Sequence, residues 1–354
     1  MSGAFSLSRA GRWFLHSGIQ EASGGVARFY FAEFHKNKPV STEITGYAAS
    51  ALVFLYSTTG EECYLDGARR MVNFLCEHAW DAGLQTFPFE HPCSSTAYFF
   101  DSGIIVRALL AVWRVTRDYR LLETAIAASR GMIDDFHSGS DYHPILQLPA
   151  KKPAARTATW SQAPGCYQVK AALAWWELAE ITGEQPFREA WEEILEVGLH
   201  THRDFLPGTA DHLRVMDRLH AYTYFLEAMW QVLDRPACVE AYRYGLETVS
   251  CYLREIAPQF ARSDVYAQLL RARIYGAKVI PVDRAAAAEE AEALEEFQVV
   301  SEDRRIDGAW LFGRRDGKTV LHANPVSTAF AIQALEVWRA FEAGETDPCR
   351  QPPI

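Results

Sequence analysis

The chain of 354 residues carries 45 acidic and 35 basic residues, which gives a formal net charge of -10 at pH 7. This negative excess argues against nucleic acid or an anionic membrane as a partner, because either would require a basic stripe on the surface. No N-terminal run has the apolar length of a signal peptide and no segment is apolar for long enough to cross a bilayer, so we expect a cytoplasmic protein.

Six almost wholly apolar segments recur along the chain, and an amphipathic segment accompanies each of them. This repeat predicts an array of helical hairpins. A helix that is apolar on all sides must be buried on all sides, so we predict six inner helices and an outer layer of amphipathic partners, closed into a double ring. The inner helices are predicted to begin near Tyr47, Ser102, Tyr167, Ala221, Val265 and Pro325.

The two ends of the chain complete this pattern. The sixth inner helix has no amphipathic segment after it, and an N-terminal helix containing Trp13 and Phe14 could serve as its partner. Residues 343–354 form a Pro-rich tail. Because the repeat runs through residues 1–354 without a linker-like change in composition, we predict a single domain.

Three stretches interrupt the repeat. Residues 141–161 are rich in proline and basic residues and predict an irregular loop. Residues 285–296 predict an acidic helix with a solvated face. Residues 309–321 contain Asp316-Gly317 between two β-prone runs, which predicts a small β-hairpin that delivers His322 and Asn324 to the last inner helix.

Acidic, histidine and aromatic residues gather just before or within the first turn of each inner helix. A hydrophobic core needs no such set, whereas carboxylates and flat rings together are typical of a site that binds sugars by hydrogen bonds and stacking. We predict that one group acts in catalysis: Glu43, Asp101, Asp217, His220 and His322. A second group is predicted to bind substrate: Tyr47, Phe100, Trp160, Tyr167, Gln168, Arg218, Tyr222, Asp264, Tyr266 and Asn324.

Each of these residues also has a structural interpretation. Asp101 and Asp264 are placed to cap a helix N-terminus, which is worth about 1 kcal/mol. Glu43 could complement the dipole of its helix from the first turn. The aromatic residues could simply pack, and the histidines could be hydrogen-bonded structural groups.

Glu43 and Asp101 begin neighbouring inner helices and should therefore face each other. Paired carboxyl groups with separated pKa values can act as general acid and general base on a glycosidic bond, and a pair wide enough to admit water would invert the anomeric centre. Asp217 could replace either of them. Glycoside hydrolysis is thus favoured.

The alternative chemistry is proton abstraction beside a sugar carboxylate, which would make a lyase or an epimerase. The candidate bases are Tyr47, Tyr222, His220 and His322, and the candidate clamps for the acid group are Arg218, Lys151, Lys152 and Arg156. No cofactor or metal is predicted, because nucleotide-binding glycine motifs, HExxH and zinc-type cysteine spacing are missing.

Three segments carry a resemblance to known proteins: STEITGYAASALVFLYSTTGEECYLDGARRMVNFL, YFFDSGIIVRALLAVWRVTRDYRLLETA and NPVSTAFAIQALEVW. They resemble the repeats of the (α/α)6 toroid, or six-hairpin, carbohydrate-active proteins. That group includes unsaturated glucuronyl hydrolases, N-acylglucosamine 2-epimerases and the helical domain of glucuronyl C5-epimerases. The resemblance implies an all-α toroid and a saccharide substrate, with uronic acids favoured. Asp101, and then Glu43, would match acidic residues at the starts of inner helices.

Two rival functions belong to other classes. One is a non-catalytic glycan-binding or scaffold protein of a polysaccharide-assembly system, which would keep the toroid without a complete catalytic signature. The other is an isoprenoid cyclase, which is disfavoured because the chain lacks a DxDD acid motif and a recognisable Asp, Cys, His zinc set.

Overall fold

The computed structural model of the protein describes residues 6–92, 94–139, 141–157, 159–206 and 211–354. Cys93 and, within the predicted loop, Ala158 lie outside the described residues. Twelve α-helices occur in the described part of the chain. In order they are α1 (Leu7–His16), α2 (Thr42–Thr59), α3 (Glu62–Phe74), α4 (Phe99–Thr116), α5 (Tyr119–Phe136), α6 (Gln168–Thr182), α7 (Gln185–Phe205), α8 (His212–Ala228), α9 (Pro236–Ile256), α10 (Ser263–Tyr275), α11 (Arg284–Glu295) and α12 (Pro325–Glu342).

The even-numbered helices are the six predicted inner helices. In α4, every residue from Phe99 to Leu110 is buried, as expected for a helix without a polar face. The odd-numbered helices bury only one side; α3, for example, buries Leu65, Ala68 and Val72. The predicted alternation of inner and outer helices is confirmed.

Several inner helices begin earlier than predicted. The largest difference is in α8, which begins at His212 rather than near Ala221, with Asp211 as its N-cap. The predicted start was wrong because polar residues interrupt the apolar ones in the first two turns of α8, and a continuous apolar run therefore marks only its later part. Asp217 and His220 consequently lie inside this helix and not in its first turn.

The described residues form two compact units. The α2–α6 unit comprises residues 20–28 and 38–201, and the α8–α12 unit comprises residues 6–19, 29–37 and 202–354. In the first unit α4 packs against α2, α5 and α6, and in the second α10 packs against α8, α11 and α12. Helix α1 contacts α12, as predicted for the sixth pair. A single domain stays a prediction.

Short antiparallel strands precede several inner helices. The α2–α6 unit holds one sheet of β1 (Val26–Ala27), β4 (Val40–Ser41) and β5 (Glu90–His91) and another of β6 (Thr96–Tyr98), β7 (Ile145–Gln147) and β8 (Lys152–Pro153). The α8–α12 unit holds a five-stranded sheet in the order β3 (Lys36–Asn37), β2 (Tyr30–Phe31), β11 (Lys318–Ala323), β10 (Leu311–Arg315) and β9 (Phe260–Arg262). Helices α2, α4 and α10 follow their strands without a gap, so the strands fix where these helices begin.

The predicted hairpin is present as β10 and β11. Its turn places Asp316 at φ 48° and Gly317 at φ 73°, the two positive values that an Asp-Gly type I′ turn requires. The irregular loop predicted at 141–161 was wrong in part, because β7, β8 and a 3-10 turn at Trp160–Gln162 lie within it. These strands pair through their backbones over two or three residues, too short for a hydrophobic alternation to reveal.

Two further predictions concern the acidic helix and membrane-spanning segments. The acidic helix predicted at 285–296 is α11, although it buries Glu290 along with its alanines. In the described ranges no helix combines the length and the apolar content that a membrane span requires.

Candidate functional site

The predicted site residues fall into two groups. The α2–α6 unit holds Glu43, Tyr47, Phe100, Asp101, Trp160, Tyr167 and Gln168. The α8–α12 unit holds Asp217, Arg218, His220, Tyr222, Asp264, Tyr266, His322 and Asn324.

In the α2–α6 unit the two carboxyl groups stand in the first turns of α2 and α4. Ser41 caps α2 by accepting a hydrogen bond from the amide of Ile44, which places Glu43 in the first turn. Helix α4 begins at Phe99, so Asp101 does not cap it. The Asp101 side chain is buried, and its Oδ2 has no hydrogen-bond partner among the described residues. The capping interpretation of Asp101 is therefore wrong.

Glycines allow these helices to approach closely near the two carboxyl groups. A Cβ on Gly46 of α2 would lie 3.3 Å from Ile105 Cα in α4, and a Cβ on Gly103 of α4 would lie 2.3 Å from the carbonyl oxygen of Ala171 in α6. Glu43 and Asp101 each lie within one turn of one of these glycines. The close packing therefore brings the first turns of α2, α4 and α6 together.

Burial raises the pKa values of Glu43 and Asp101 above those of ordinary carboxyl groups. Desolvation raises the pKa of Asp101 well above its usual range, and the neighbouring charge of Glu43 raises it further. Burial raises the pKa of Glu43 to about 7, opposed by the positive charge of Arg28. Both carboxyl groups therefore hold a proton to a higher pH than ordinary carboxyl groups do, and a charge on Glu43 disfavours ionisation of Asp101.

Arg28 and its neighbours were missed by the sequence analysis. The Arg28 guanidinium forms an ion pair with Glu90 and lies 4.6 Å from the centre of the Phe89 ring, which in turn contacts the ring of Tyr98 at 4.7 Å. Arg28 and Glu90 come from the strand-forming loops, where no periodic pattern points to them. A cation beside aromatic rings in the VARFYF segment is the one signal that could have found Arg28.

The predicted aromatic residues of this unit contact one another. The Tyr167 ring lies 5.1 Å from that of Trp160 and 5.9 Å from that of Phe100. The Tyr167 hydroxyl donates to the carbonyl of Ala163, and Gln168 bonds with the amide of Gly165 and the carbonyl of Tyr142. Tyr167 and Gln168 thus hold the loop before α6, while Tyr47 is buried within α2.

In the α8–α12 unit, His220 and Asp264 form a buried pair. His220 Nδ1 lies 3.3 Å from Asp264 Oδ2 and 2.9 Å from Gln268 Oε1. Asp264 in turn accepts two hydrogen bonds from Arg262, which also bonds to the half-exposed Asp217. Burial lowers the pKa of His220 to about 4, so the imidazole is neutral at pH 7. Asp264 is bound by these side chains and does not act as the N-cap of α10.

The remaining predicted residues of this unit have structural contacts. Arg218 donates to the carbonyl of Phe205, and the buried Tyr222 hydroxyl bonds to His202 Nδ1 at 2.8 Å. The Tyr266 ring lies 6.4 Å from that of Phe297. Asn324 caps α12, and the centre of the His322 ring lies 4.5 Å from that of Phe29 and 4.5 Å from that of Phe31. Any role of these residues in binding stays a prediction.

The candidate clamps, metal-ligating side chains and the cleft of the protein were also compared with the predicted site. Lys151 pairs with Asp135 at 2.6 Å and Arg156 with Asp141 at 2.8 Å, so these two candidate clamps already hold carboxylates. Among the described residues no cluster of three metal-ligating side chains occurs. A cleft of about 490 Å³ lies between α9 and residues 280–283, and none of the predicted site residues lines it.

Comparison with known proteins relates the chain to sugar-processing enzymes by structure. No protein-family model and no curated protein sequence matches it. A sugar epimerase from a ruminal bacterium superposes with a TM-score of 0.70 at 13% identity, over 93% of this chain and 98% of the other. The cellobiose 2-epimerase of Bacillus thermoamylovorans gives 0.70 at 11% identity, over 91% and 95%.

A third similar structure is an unsaturated glucuronyl hydrolase specific for heparin. It superposes with a TM-score of 0.68 at 9% identity, over 95% of this chain and 96% of the other. These three enzymes are all (α/α)6 toroids. At such low identity the likeness concerns the fold alone. The chain therefore has the all-α (α/α)6 toroid fold, with small β-hairpin sheets beside its helices.

Proposed function

We propose that the protein is a carbohydrate-active enzyme that performs general acid/base chemistry on an oligosaccharide or polysaccharide, with Glu43 and Asp101 as its reacting groups. One observation carries the proposal: two carboxyl groups stand in the first turns of adjacent inner helices, where burial raises the pKa of both. The fold, shared with epimerases and a glucuronyl hydrolase, supports a saccharide substrate. Glycoside hydrolysis is the reaction that this pair suits best.

In this mechanism Asp101 is the general acid. Burial raises the pKa of its carboxyl group well above the usual range, so the protonated form can pass a proton to the glycosidic oxygen as the bond breaks. Glu43 is partly exposed and the positive charge of Arg28 lowers its pKa, so its ionised form can accept a proton from the attacking water. The half-buried Trp160 supplies a ring against which a pyranose can pack, and the buried Tyr167 supports that ring. Arg28 can balance a uronate on the substrate.

Replacing the reacting groups tests this directly. Asp101→Asn and Glu43→Gln remove the acid and the base while keeping the side-chain shape, so each should lower the turnover of a cleaved oligosaccharide by about 100-fold or more. Product release from uronate-containing and neutral oligosaccharides, followed by chromatography, measures the effect. Asp66→Asn, which alters an exposed carboxylate of the same unit, is the matched control.

The outcomes separate enzyme from binding protein. Full activity in both variants would remove Glu43 and Asp101 from the mechanism. Calorimetric binding of the same oligosaccharides without any product would instead favour the non-catalytic glycan-binding alternative.

The His220–Asp264 pair favours a second candidate, a sugar epimerase or isomerase. A neutral imidazole held by a carboxylate is suited to take a proton from carbon next to a carbonyl group. Cellobiose 2-epimerase and D-mannose isomerase are among the structurally similar enzymes.

Proton exchange tests the second candidate. Incubation with cellobiose or mannose in deuterated water should introduce deuterium at C2, and His220→Gln should lower that rate by about 100-fold or more. Nuclear magnetic resonance of the sugar measures the incorporation. An unchanged rate in His220→Gln would exclude His220 as the base.

A further inference from the structure

Arg262 binds Asp264 of the buried His220–Asp264 pair, and it is not among the residues predicted from the sequence. It ends β9, directly before α10, and its side chain is 9% exposed. Its Nε donates to Asp264 Oδ1 at 3.0 Å and its Nη2 to Asp264 Oδ2 at 2.6 Å, while Nη1 donates to Asp217 at 2.8 Å. The guanidinium also lies 4.6 Å from the centre of the Phe312 ring. The Arg262 guanidinium is planar, and contacts with two carboxylates at its edges and with one ring at its face restrict it to a single orientation.

This fork determines how Asp264 meets His220. With both oxygens bound by Arg262, the Asp264 carboxylate cannot rotate, and its Oδ2 stays 3.3 Å from His220 Nδ1. Gln268 donates its Nε2 to the His220 carbonyl, which turns its Oε1 toward the same Nδ1. Both groups that face Nδ1 are acceptors, so Nδ1 carries the proton and Nε2 carries the lone pair.

Arg262 also acts on the charge of the imidazole. The groups around His220 are the carboxylates of Asp264 and Glu227, the guanidinium of Arg262, the amide of Gln268 and the ring of Tyr224. The two carboxylates favour the charged imidazolium, whereas burial and Arg262 favour the neutral form. Without the guanidinium, the negative charge beside the ring would lack its balance.

We propose that Arg262 is a positioning residue for His220: by clamping Asp264, it keeps the imidazole neutral, in one tautomer, with Nε2 as the proton acceptor. The use of this arrangement in catalysis rests on the second proposed function, the epimerase or isomerase. The arrangement itself can be measured in the protein without any sugar.

Nitrogen-15 resonances of the histidine rings provide the measurement, with His220→Gln identifying the signal of His220. In Arg262→Gln we expect the His220–Asp264 pair to take up a proton at a pH about one to three units higher than in the unaltered protein. Arg273→Gln is the matched control, because Arg273 grips Glu290 through the same two-bond fork at 2.8 and 2.7 Å. It should leave the His220 titration unchanged.

Arg262→Lys keeps the charge but loses the fork, so it should mix the two tautomers while moving the titration less than Arg262→Gln. If Arg262→Gln does not fold, the tautomer and the titration of His220 in Arg262→Lys test the proposal instead. The proposal is overturned if His220 keeps its titration and its tautomer in the folded Arg262 variants, or if Arg273→Gln changes them equally. A protein that turns over no sugar while showing the expected titration would refute the second function and leave the role of Arg262 intact.

Discussion

The environment of Glu43 disfavours the charged form of its side chain. A carboxylate prefers water, yet burial raises the pKa of Glu43 to about 7 from an ordinary 4.5, against the opposing positive charge of Arg28. Between these two values the folded protein binds more protons at this site than the unfolded chain does. Folding stability contributed by this site therefore falls as the pH rises from about 4.5 to about 7.

This linkage predicts a stabilising substitution. Glu43→Gln resembles the protonated side chain, so it removes the cost of ionisation, at most about 3 kcal/mol at pH 8, and leaves stability at pH 5 nearly unchanged. Thermal melting of both proteins at the two pH values measures the difference. Equal melting temperatures at pH 8 would show that Glu43 ionises without a penalty.

At the scale of elements, the contacts among α2, α4 and α6 depend on glycine. The position of Gly103 leaves no room for a Cβ, since the Ala171 backbone would lie 2.3 to 2.7 Å away and cannot move without separating α4 from α6. The corresponding space at Gly46 is tight but wider, at 3.3 Å. The two positions therefore differ in how much they tolerate.

We expect Gly103→Ala to destabilise the protein by about 1–3 kcal/mol, the usual cost of overpacking. Gly46→Ala should cost less, because alanine favours a helix interior by roughly 1 kcal/mol over glycine and this gain offsets the small displacement. Melting temperatures of the two variants test the order. A Gly46→Ala protein less stable than Gly103→Ala would contradict the packing described here.

Each unit also joins two inner helices by a buried ion pair. Arg107 of α4 donates to Glu177 of α6 in the α2–α6 unit, and Arg271 of α10 pairs with Glu227 of α8 in the α8–α12 unit. Such pairs add little net stability, because desolvation offsets their attraction. Losing one partner is costly, however, since it leaves a buried charge.

At the scale of the whole molecule, the alternation of helix types follows from the chain itself. Inner helices are apolar throughout and outer helices are amphipathic, so the period and the mean polarity of each segment determined its layer before any contact was known. The hairpin turn at Asp316-Gly317 was equally predictable, because two consecutive positive φ values restrict the residue types.

The site was predictable only in part. Glu43 and Asp101 were identified because residues at helix starts are visible in the sequence. Arg28, Glu90 and Arg262 were missed because they lie in or beside strands of two or three residues. Arg28 and its partner Glu90 are also 62 residues apart in the chain.

The sequence by itself determined the helices, their layers and the hairpin, since these depend on residues within a few positions of one another. Tertiary structure decided which side chains meet and hence their chemistry. The raised pKa of Asp101 and the neutral His220 arise from burial and from charges on other helices and strands. Electrostatic energy depends on distance and solvent exposure in space, and neither quantity is contained in the order of residues.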